Sequence, residues 1–322
     1  DLREEPENSL ISVTLKKEIS ETLERKETAM LILNVKGYSH HIVCRNCSTV
    51  VKCQACKIGM SYNKKKDEIY CRYCGYKMTK KSCENCGSVD LSLYAVGLEK
   101  VAETLQTIFP NARLLQLDSE VISDYQSYQE NVLKIEEQEV DIVIGTNNIL
   151  SLKNPAIKLI GILDIDRLLN INDYKASELT YGLLSDALID ERTKVVIQGY
   201  HLDHFAILNG INQDFINFYN EEIKYRQEYF YPPFAEANRM IISGEFKAMY
   251  HFANSFKKSF NYLFKNEGVV LGPVYLARYM GVQLIIKHND FIKLNRIIEE
   301  VSKNLAHYQL TINYERYPRS FT

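Results

Sequence analysis

Short apolar runs alternate with amphipathic segments over most of the sequence. Apolar runs of strand length occupy residues 29–35, 91–97, 112–118, 140–146, 157–166 and 194–200. Apolar residues spaced for a helix occupy residues 15–26, 98–109, 126–138, 176–190 and 203–229. Runs that are apolar throughout are typical of strands covered on both faces, and their alternation with helices predicts βαβ units. The pattern therefore predicts an α/β fold built on a parallel sheet.

A different pattern begins after the turn Tyr231-Pro232-Pro233-Phe234. It predicts, in order, a strand at 239–246, a helix at 247–265, one or two strands within 269–287, a helix at 290–307 and a strand at 309–315. This β-α-β-β-α-β order predicts a small ferredoxin-like α+β domain.

The composition is that of an ordinary globular protein. The 322 residues are 46% hydrophobic and 25% charged with a net charge of −2, and at about 150 residues per domain they predict about two domains. Since the whole chain is not a polycation, a nucleic-acid-binding surface must be a local patch. No apolar stretch reaches the ~20 residues of a membrane span, so we expect no membrane association. Because the sequence starts at Asp1 rather than Met and shows no signal peptide, we expect a fragment or a processed product.

All eight cysteines lie between Cys44 and Cys86. They form the Cys-x-x-Cys pairs Cys44/Cys47, Cys53/Cys56, Cys71/Cys74 and Cys83/Cys86. A two-residue spacer lets both sulfurs reach one metal ion at about 2.3 Å, and two pairs complete a tetrahedral site. Four pairs therefore predict two closed, structural zinc sites in a reducing compartment.

Other interpretations of the cysteine block are weaker. Iron–sulfur clusters also use cysteine ligands, so iron is the alternative metal. A redox Cys-x-x-Cys or free buried thiols fit four regular repeats poorly. The spacing alone leaves sequential and nested pairing of the four pairs both open.

The cysteine block is locally basic and rich in tyrosine. Residues 36–86 contain eleven basic and three acidic residues, and two tetrathiolate zinc sites would leave an excess of about four positive charges. Phosphate contacts from cations, combined with stacking on aromatic rings, hold single-stranded nucleic acid. We therefore predict DNA contacts from Lys36, Arg45, Lys64, Lys65, Lys66, Arg72 and Tyr73. The competing interpretation is a solvated zinc ribbon whose lysines only maintain solubility.

The segment before the cysteines, LILNVKGY (31–38), together with the four pairs, resembles the PriA family of bacterial replication-restart DNA helicases. Similar segments recur along nearly the whole chain, at residues 1–6, 96–120, 141–146, 160–166, 173–180, 231–234 and 270–287. The resemblance is most specific around the cysteines.

This resemblance implies a fold and a set of partners. It implies a RecA-like second helicase lobe at 1–43 and 88–234, a zinc-binding insertion at 44–87 and the C-terminal α+β domain at 235–322. It also implies nested pairing, with one Zn²⁺ on Cys44, Cys47, Cys83 and Cys86 and the other on Cys53, Cys56, Cys71 and Cys74. The implied partners are forked and single-stranded DNA, the single-stranded-DNA-binding protein and primosome or helicase-loading proteins, in the bacterial cytoplasm at the nucleoid.

The departures from the family pattern concern the ATP-driven motor. The chain has no G-x-x-x-x-G-K-[ST] phosphate loop, and the family's Q-V-A-G-R-A-G-R is replaced by YGLLSDALIDERTKVVIQ (181–198). The family's K-G-H-D core is also missing from GTNNILSLKNP (145–155). Because an arginine finger contributes about 10³–10⁵ in rate, its loss predicts ATP turnover near background.

Three hypotheses follow. The first is a DNA-binding replication-restart protein without a working ATPase, and so without a catalytic residue in this chain. The second is the C-terminal half of an active ATP-dependent 3′→5′ helicase with divergent motifs. The third is a zinc-ribbon scaffold that binds proteins and not DNA.

Other conspicuous residues have simpler interpretations. We expect loop, structural or packing roles rather than metal or DNA binding for His40, His41, His201, His204, Asp164, Asp166, Tyr225, Tyr229, Phe230 and Tyr231. Gly145-Thr146, at the end of a predicted strand, is a DNA-backbone contact only by the resemblance.

Overall fold

The computed structural model describes residues 1–6, 9–33, 41–47, 49–54, 56, 58–63, 68–71, 73–78, 81–94, 97–117, 125–152, 154–171, 173–318 and 321. The chain divides into two compact units. The first unit contains Asp1–Ser39, Tyr94–Ile171 and Lys175–Glu221. The second unit contains His40–Leu93, Asn172–Tyr174 and Glu222–Thr322.

The described strands are β1 (Thr28–Ile32), β2 (His41–Cys44), β3 (Ser61–Asn63), β4 (Glu68–Tyr70), β5 (Leu91–Tyr94), β6 (Leu114–Leu117), β7 (Ile142–Gly145), β8 (Ile157–Ile162), β9 (Lys194–Ile197), β10 (Glu236–Ser243), β11 (Val269–Leu276), β12 (Gly281–His288) and β13 (Thr311–Arg316). The described helices are α1 (Val13–Glu24), α2 (Leu98–Ile108), α3 (Tyr125–Glu136), α4 (Asp166–Leu169), α5 (Ala176–Ala187), α6 (Phe205–Ile211), α7 (Phe215–Glu228), α8 (Phe246–Phe264) and α9 (Phe291–Asn304).

The first unit is a parallel sheet with helices on both faces. Its five strands run in the order β6-β7-β1-β8-β9, and every described pairing is parallel. All residues of β1 are buried, and alternate side chains enter opposite cores: Ala29 and Leu31 pack with α1 and α2, whereas Met30 and Ile32 pack with α5, α6 and the first turns of α7. The α/β fold with a parallel sheet is therefore confirmed.

One predicted helix is two helices. The helical pattern over 203–229 is interrupted between α6 and α7, where Gln213 has a φ of 53°. Asp214 starts the second helix, because its Oδ1 accepts a hydrogen bond from Asn217 N at 3.0 Å. The apolar spacing continues across the break, so periodicity alone did not reveal it.

The second unit contains an antiparallel four-stranded sheet in the order β11-β12-β10-β13. Helices α8 and α9 pack on one face, over a core that includes Phe252, Phe256 and Phe260. The predicted β-α-β-β-α-β order is confirmed. The segment 269–287 contains two strands, joined by a turn in which Met280 adopts a left-handed conformation.

The same unit contains the cysteine block. A small sheet in the order β4-β3-β2-β5 carries it. The predicted insertion (44–87) and C-terminal domain (235–322) thus both lie within the second compact unit, which also includes residues 222–234. Across the described residues, no helix combines the length and the apolar character needed to cross a membrane.

Candidate metal centres

The eight cysteines form two groups of four. We call Cys44, Cys47, Cys83 and Cys86 the outer cluster, and Cys53, Cys56, Cys71 and Cys74 the inner cluster. Within each cluster all the sulfurs lie within 4.8 Å of one another. The first pair therefore joins the fourth and the second joins the third, which confirms the nested pairing implied by the family resemblance.

A repeated backbone turn shapes each pair. The amide of the first cysteine donates to the carbonyl five residues later, at distances of 2.8–3.0 Å, in Cys44→Thr49, Cys53→Ile58, Cys71→Tyr76 and Cys83→Ser88. In the last two pairs the next residue is a glycine, Gly75 or Gly87, with a φ of 77° or 75°. These glycine amides donate back to the carbonyls of Cys71 and Cys83. Glycine adopts this left-handed conformation at little cost, so these sequences favour a tight turn that presents both sulfurs on one side.

The sulfur geometry fits a tetrahedral metal ion. The sulfur–sulfur distances are 3.5 Å for Cys44–Cys86 and Cys47–Cys83 in the outer cluster, and 3.6 Å for Cys53–Cys74 in the inner cluster. A disulfide would need about 2.05 Å, and all eight cysteines are free. Four sulfurs at about 2.3 Å from one ion lie about 3.8 Å apart. The clusters are therefore compatible with zinc, each with a complete set of four protein ligands.

The outer cluster reaches the surface on one side. Cys86 is exposed and Cys47 is half-buried, whereas Cys44 and Cys83 are buried. Cys47 Sγ lies 3.3 Å from Thr49 Oγ1, which also accepts a hydrogen bond from Asn85 Nδ2. Burial raises the pKa of the Cys47 thiol, but hydrogen bonds from Thr49 and Asn85 favour the thiolate more strongly and the pKa falls to about 6. Polar side chains thus support the outer cluster.

The inner cluster is part of a hydrophobic core. Cys53, Cys56 and Cys71 are almost completely buried. The same core contains Ile42, Val51, Ile58, Met60, Ile69, Tyr73, Tyr174, Tyr231, Ala237, Ile285 and Phe321. These residues come from the cysteine block, from the segments before α5 and before β10, from the C-terminal sheet and from the segment after β13. The inner cluster therefore joins the cysteine block to the C-terminal part of the second unit.

Aromatic contacts give this core its order. Tyr73 packs edge-on against Phe321 with ring centroids 5.4 Å apart, and Tyr174 stacks on Tyr231 at 4.6 Å. The backbone N–H of Tyr73 also donates to Cys71 Sγ at 3.4 Å. Pairs of this geometry contribute about 0.5–1.5 kcal/mol beyond their buried area.

The predicted DNA contacts have different positions. Lys36, Lys64, Lys65, Lys66 and Arg72 lie outside the described residues. Arg45 is 67% exposed and 3.8 Å from Asp90, so its guanidinium remains accessible to a phosphate. The predicted DNA contact of Tyr73 is wrong, because its ring is completely buried against Phe321 and cannot stack on a base in this structure.

Exposed aromatic residues elsewhere in the second unit were missed at the sequence level. Phe246 is 59% exposed and Tyr275 is 41% exposed, with ring centroids 5.9 Å apart. Tyr250 lies 5.0 Å from Phe246. Burial raises the pKa of Tyr250. The positive charge of Lys77, in the cysteine block, acts in the opposite direction. The sequence pattern predicted Phe246 as the last residue of a strand, whereas the structure makes it the first residue of α8. Tyr250 fell in the predicted helix, where an aromatic residue is equally typical of a core position.

The His and Asp residues of the first unit have structural roles. Asp166 accepts from His201 Nδ1 at 2.8 Å and from the backbone amides of Tyr200 and His201. The hydrogen bond to Asp166 raises the pKa of His201, while burial lowers it. Asp164 pairs with Arg167 at 3.1 Å, and His204 Nδ1 accepts from the amide of Ala206. Among the described residues, the cysteine clusters are the groups whose ligand atoms converge for a metal.

The remaining sequence candidates have packing or structural positions. Tyr231 is completely buried, and Tyr225 lies 4.8 Å from Tyr229. Gly145 is packed closely by its neighbours in the first unit. A Cβ at this position would lie 2.5 Å from Ile149 and from the Leu117 carbonyl, so the absence of a side chain has a packing reason. His41 lies on β2, whereas His40 lies outside the described residues.

No protein-family model matches the chain. Curated proteins called replication restart protein PriA do match it. The protein of Bacillus subtilis (strain 168) is 30% identical over 97% of this chain and 40% of its own length. That of Thermotoga maritima is 30% identical over 95% of this chain and 42% of its own length. That of Borreliella burgdorferi is 29% identical over 75% of this chain and 37% of its own length.

The parallel sheet and the cysteine clusters are those of an α/β protein with two tetracysteine modules able to bind metal. The sequence matches then identify the family. The chain belongs to the replication restart protein PriA family. It spans about two fifths of the length of the curated relatives it matches.

Proposed function

We propose that this chain is the DNA-binding, zinc-containing part of a replication-restart protein. It would recognise forked or single-stranded DNA, and the single-stranded-DNA-binding protein and primosome or helicase-loading proteins would be its protein partners. The observation that carries the proposal is the pair of nested tetracysteine clusters in a chain of this family. In this proposal the first unit is a RecA-like second helicase lobe, and the sheet with α8 and α9 is a ferredoxin-like domain.

Zinc is the metal that suits the ligand sets best. Each cluster offers four sulfurs, a number that fills tetrahedral coordination and leaves no position for a substrate or water. A closed site of this kind stabilises a fold and does not perform chemistry. Zinc would hold the four thiolates of each cluster together. The backbone turn of each Cys-x-x-Cys pair would orient its two cysteine side chains toward the ion.

Contact with DNA is supported by exposed cationic and aromatic side chains in the second unit. Lys77 is 59% exposed and pairs with Glu68 at 2.8 Å, an ion pair that a phosphate could replace at the surface. Tyr76 is 37% exposed, and both residues follow the inner cluster's last cysteine. Arg45 lies beside the outer cluster, and Phe246 and Tyr275 offer accessible rings. Cations that neutralise phosphates and rings that stack on bases hold single strands without reading their sequence.

The ATPase is proposed to be inactive. This proposal is supported by the absence of the Q-V-A-G-R-A-G-R segment. The residues at the corresponding position form the end of α5, the turn before β9 and β9 itself. Arg192, the arginine in that turn, is 76% exposed and forms an ion pair with Asp190, two residues earlier, at 3.0 Å. An arginine held by its neighbour on the surface offers no support for an arginine-finger role.

The experiment combines ATP hydrolysis with DNA binding. The full protein that contains this chain is assayed with fork DNA, and fork binding is followed over 50–200 mM salt, with roughly tenfold or greater weakening expected if several phosphates are contacted. DNA-stimulated turnover at background together with a steep salt slope supports the proposal. Robust turnover would favour an active helicase, and no fork binding would favour a protein-binding scaffold.

A further inference from the structure

Lys287 places a positive charge in the interior of the second unit. It lies near the end of β12 and is only 5% exposed. Its Nζ donates to the carbonyl of Tyr229 at 2.8 Å and stands 3.4 Å from the centroid of the Tyr231 ring. Among the described residues it has no carboxylate partner within ion-pair distance. A buried ammonium is costly unless an anion lies nearby.

The neighbouring anion is the inner cluster. Alternate residues of a strand share a face, so Lys287 lies on the same face of β12 as Ile285. Ile285 belongs to the core that contains Cys53, Cys56 and Tyr231. Four thiolates with one Zn²⁺ carry a net charge of about −2. The face that holds the buried cation is thus the face that meets the buried anionic site.

The electrostatic contacts agree with this placement. Burial lowers the pKa of Lys287 to about 8, and the group that acts in the opposite direction is Cys56. The Tyr231 ring, which belongs to the same core as Cys53 and Cys56, adds a cation–π contact. This contact stabilises the charged form of the lysine when water is excluded.

We propose that Lys287 is the counter-charge of the inner cluster, so that retention of its metal depends on a strand of the C-terminal sheet. This inference rests on the proposed binding of zinc. The ammonium offsets part of the negative charge of the tetrathiolate site, and its hydrogen bond to Tyr229 fixes it there. The outer cluster has an exposed cysteine and polar neighbours such as Thr49 and Asn85, so solvent and these side chains offset part of its charge.

The test follows zinc release to a coloured chelator from the whole chain. Lys287→Gln keeps a hydrogen-bond donor and removes the charge, Lys287→Arg keeps the charge, and Lys293→Met is the control. Lys293 also lies over an aromatic ring, that of Phe264, whose core contains no cysteine. It is 30% exposed and pairs with Glu267 at 3.1 Å. Residues that support metal ligands typically change metal affinity by about 10–100-fold.

We expect Lys287→Gln to release one of two zinc ions about 10–100-fold faster, with Lys287→Arg and Lys293→Met close to the unsubstituted protein. Unchanged release in Lys287→Gln, or equal acceleration in the Gln and Arg variants, would overturn the proposal. If Lys287→Gln does not fold, the Arg variant decides: release within about threefold of the unsubstituted rate supports a charge role, and faster release indicates packing alone. The zinc content of the unsubstituted protein is measured first, because a value near zero refutes the proposed zinc function and not the role of Lys287.

Discussion

The outer and inner clusters have the same four ligands but different surroundings. The inner cluster shares a core with Tyr73, Tyr231 and Phe321, whereas the outer cluster has an exposed cysteine and polar neighbours such as Thr49 and Asn85. Ligand chemistry alone would make the two sites equivalent. The fold around a site decides how strongly its metal contributes to stability, because the inner cluster shares its core with Ile285 of β12 and with Phe321.

The largest expected effect comes from removing one ligand of each cluster. Cys71→Ser should release the inner metal and unfold the core around it, because binding energy at a structural zinc site is folding energy. Cys86→Ser should release only the outer metal and leave the C-terminal sheet folded. Elemental analysis and thermal unfolding of the two variants measure the difference.

Equal loss of stability in both variants would contradict a greater contribution of the inner cluster to the stability of the second unit. The expected loss in Cys71→Ser is several kcal/mol, on the order of removing one partner from a buried charged site. For Cys86→Ser we expect about 1 kcal/mol or less in the unfolding of the C-terminal sheet.

The second prediction concerns the aromatic core. Tyr73→Ala should cost about 3–5 kcal/mol of unfolding free energy, because it removes a buried ring that packs on Phe321. Tyr73→Phe is the matched control. The Tyr73 hydroxyl has no hydrogen-bond partner among the described residues, so its removal should be neutral or slightly stabilising. Chemical denaturation of the second unit measures both variants, and a large cost in Tyr73→Phe would show an unrecognised role for the hydroxyl.

The third prediction uses the two glycines of the cysteine turns. Gly75 and Gly87 have nearly the same left-handed φ, so Gly→Ala should cost about 1–2 kcal/mol at each site. A Cβ at Gly87 would meet nothing within 4 Å, whereas at Gly75 it would touch Val274 at 3.4 Å, an ordinary contact. Gly75→Ala should therefore lower zinc retention at the inner cluster and Gly87→Ala at the outer one, in chelator competition. A loss of the wrong ion, or of both ions, would mean that the clusters are not independent.

The smallest expected effect is a difference between the two compact units in how their stability depends on pH. In the first unit, the hydrogen bond to Asp166 raises the pKa of His201 above its usual value of about 6.5. The stability gained there is fully present below about pH 6.5 and is lost as the pH rises through the raised folded-state pKa. Since His201 is about a third exposed, we expect only ~0.5 kcal/mol.

The second unit should respond in the opposite direction, because acid protonates thiolates and releases metal. Unfolding of each unit is followed by hydrogen exchange between pH 5 and 8. His201→Gln should remove the pH dependence of the first unit attributed to this pair and leave that of the second unit unchanged. A first unit that becomes more stable above pH 7 would show that the His201–Asp166 pair does not stabilise the fold.

Local sequence signals predicted the elements well. The strands of the parallel sheet and helix α2 follow directly from apolar runs and helical spacing, and Pro110 lies just beyond the helix end. The break between α6 and α7 was missed because the apolar spacing continues across it. The helix itself is interrupted at Asn212, Gln213 and Asp214.

The cysteine site was predictable in its ligands and only partly in its surroundings. The spacing identified four pairs, but their nested grouping came from family resemblance, because pairing depends on how the small sheet folds back. Tyr73 was assigned to DNA as one tyrosine among lysines, whereas the structure buries it against Phe321, near the other end of the chain. Lys287 gave no signal in sequence, since its burial results from long-range packing of β12.

The time course of zinc transfer from the folded chain to a chelator distinguishes the two clusters most sharply. We predict two zinc ions per chain released in two equal phases, with the fast phase absent in Cys86→Ser. A single phase for both ions would contradict the unequal surroundings of the clusters. Cysteines bridged as disulfides, with no bound metal, would contradict the metal sites themselves.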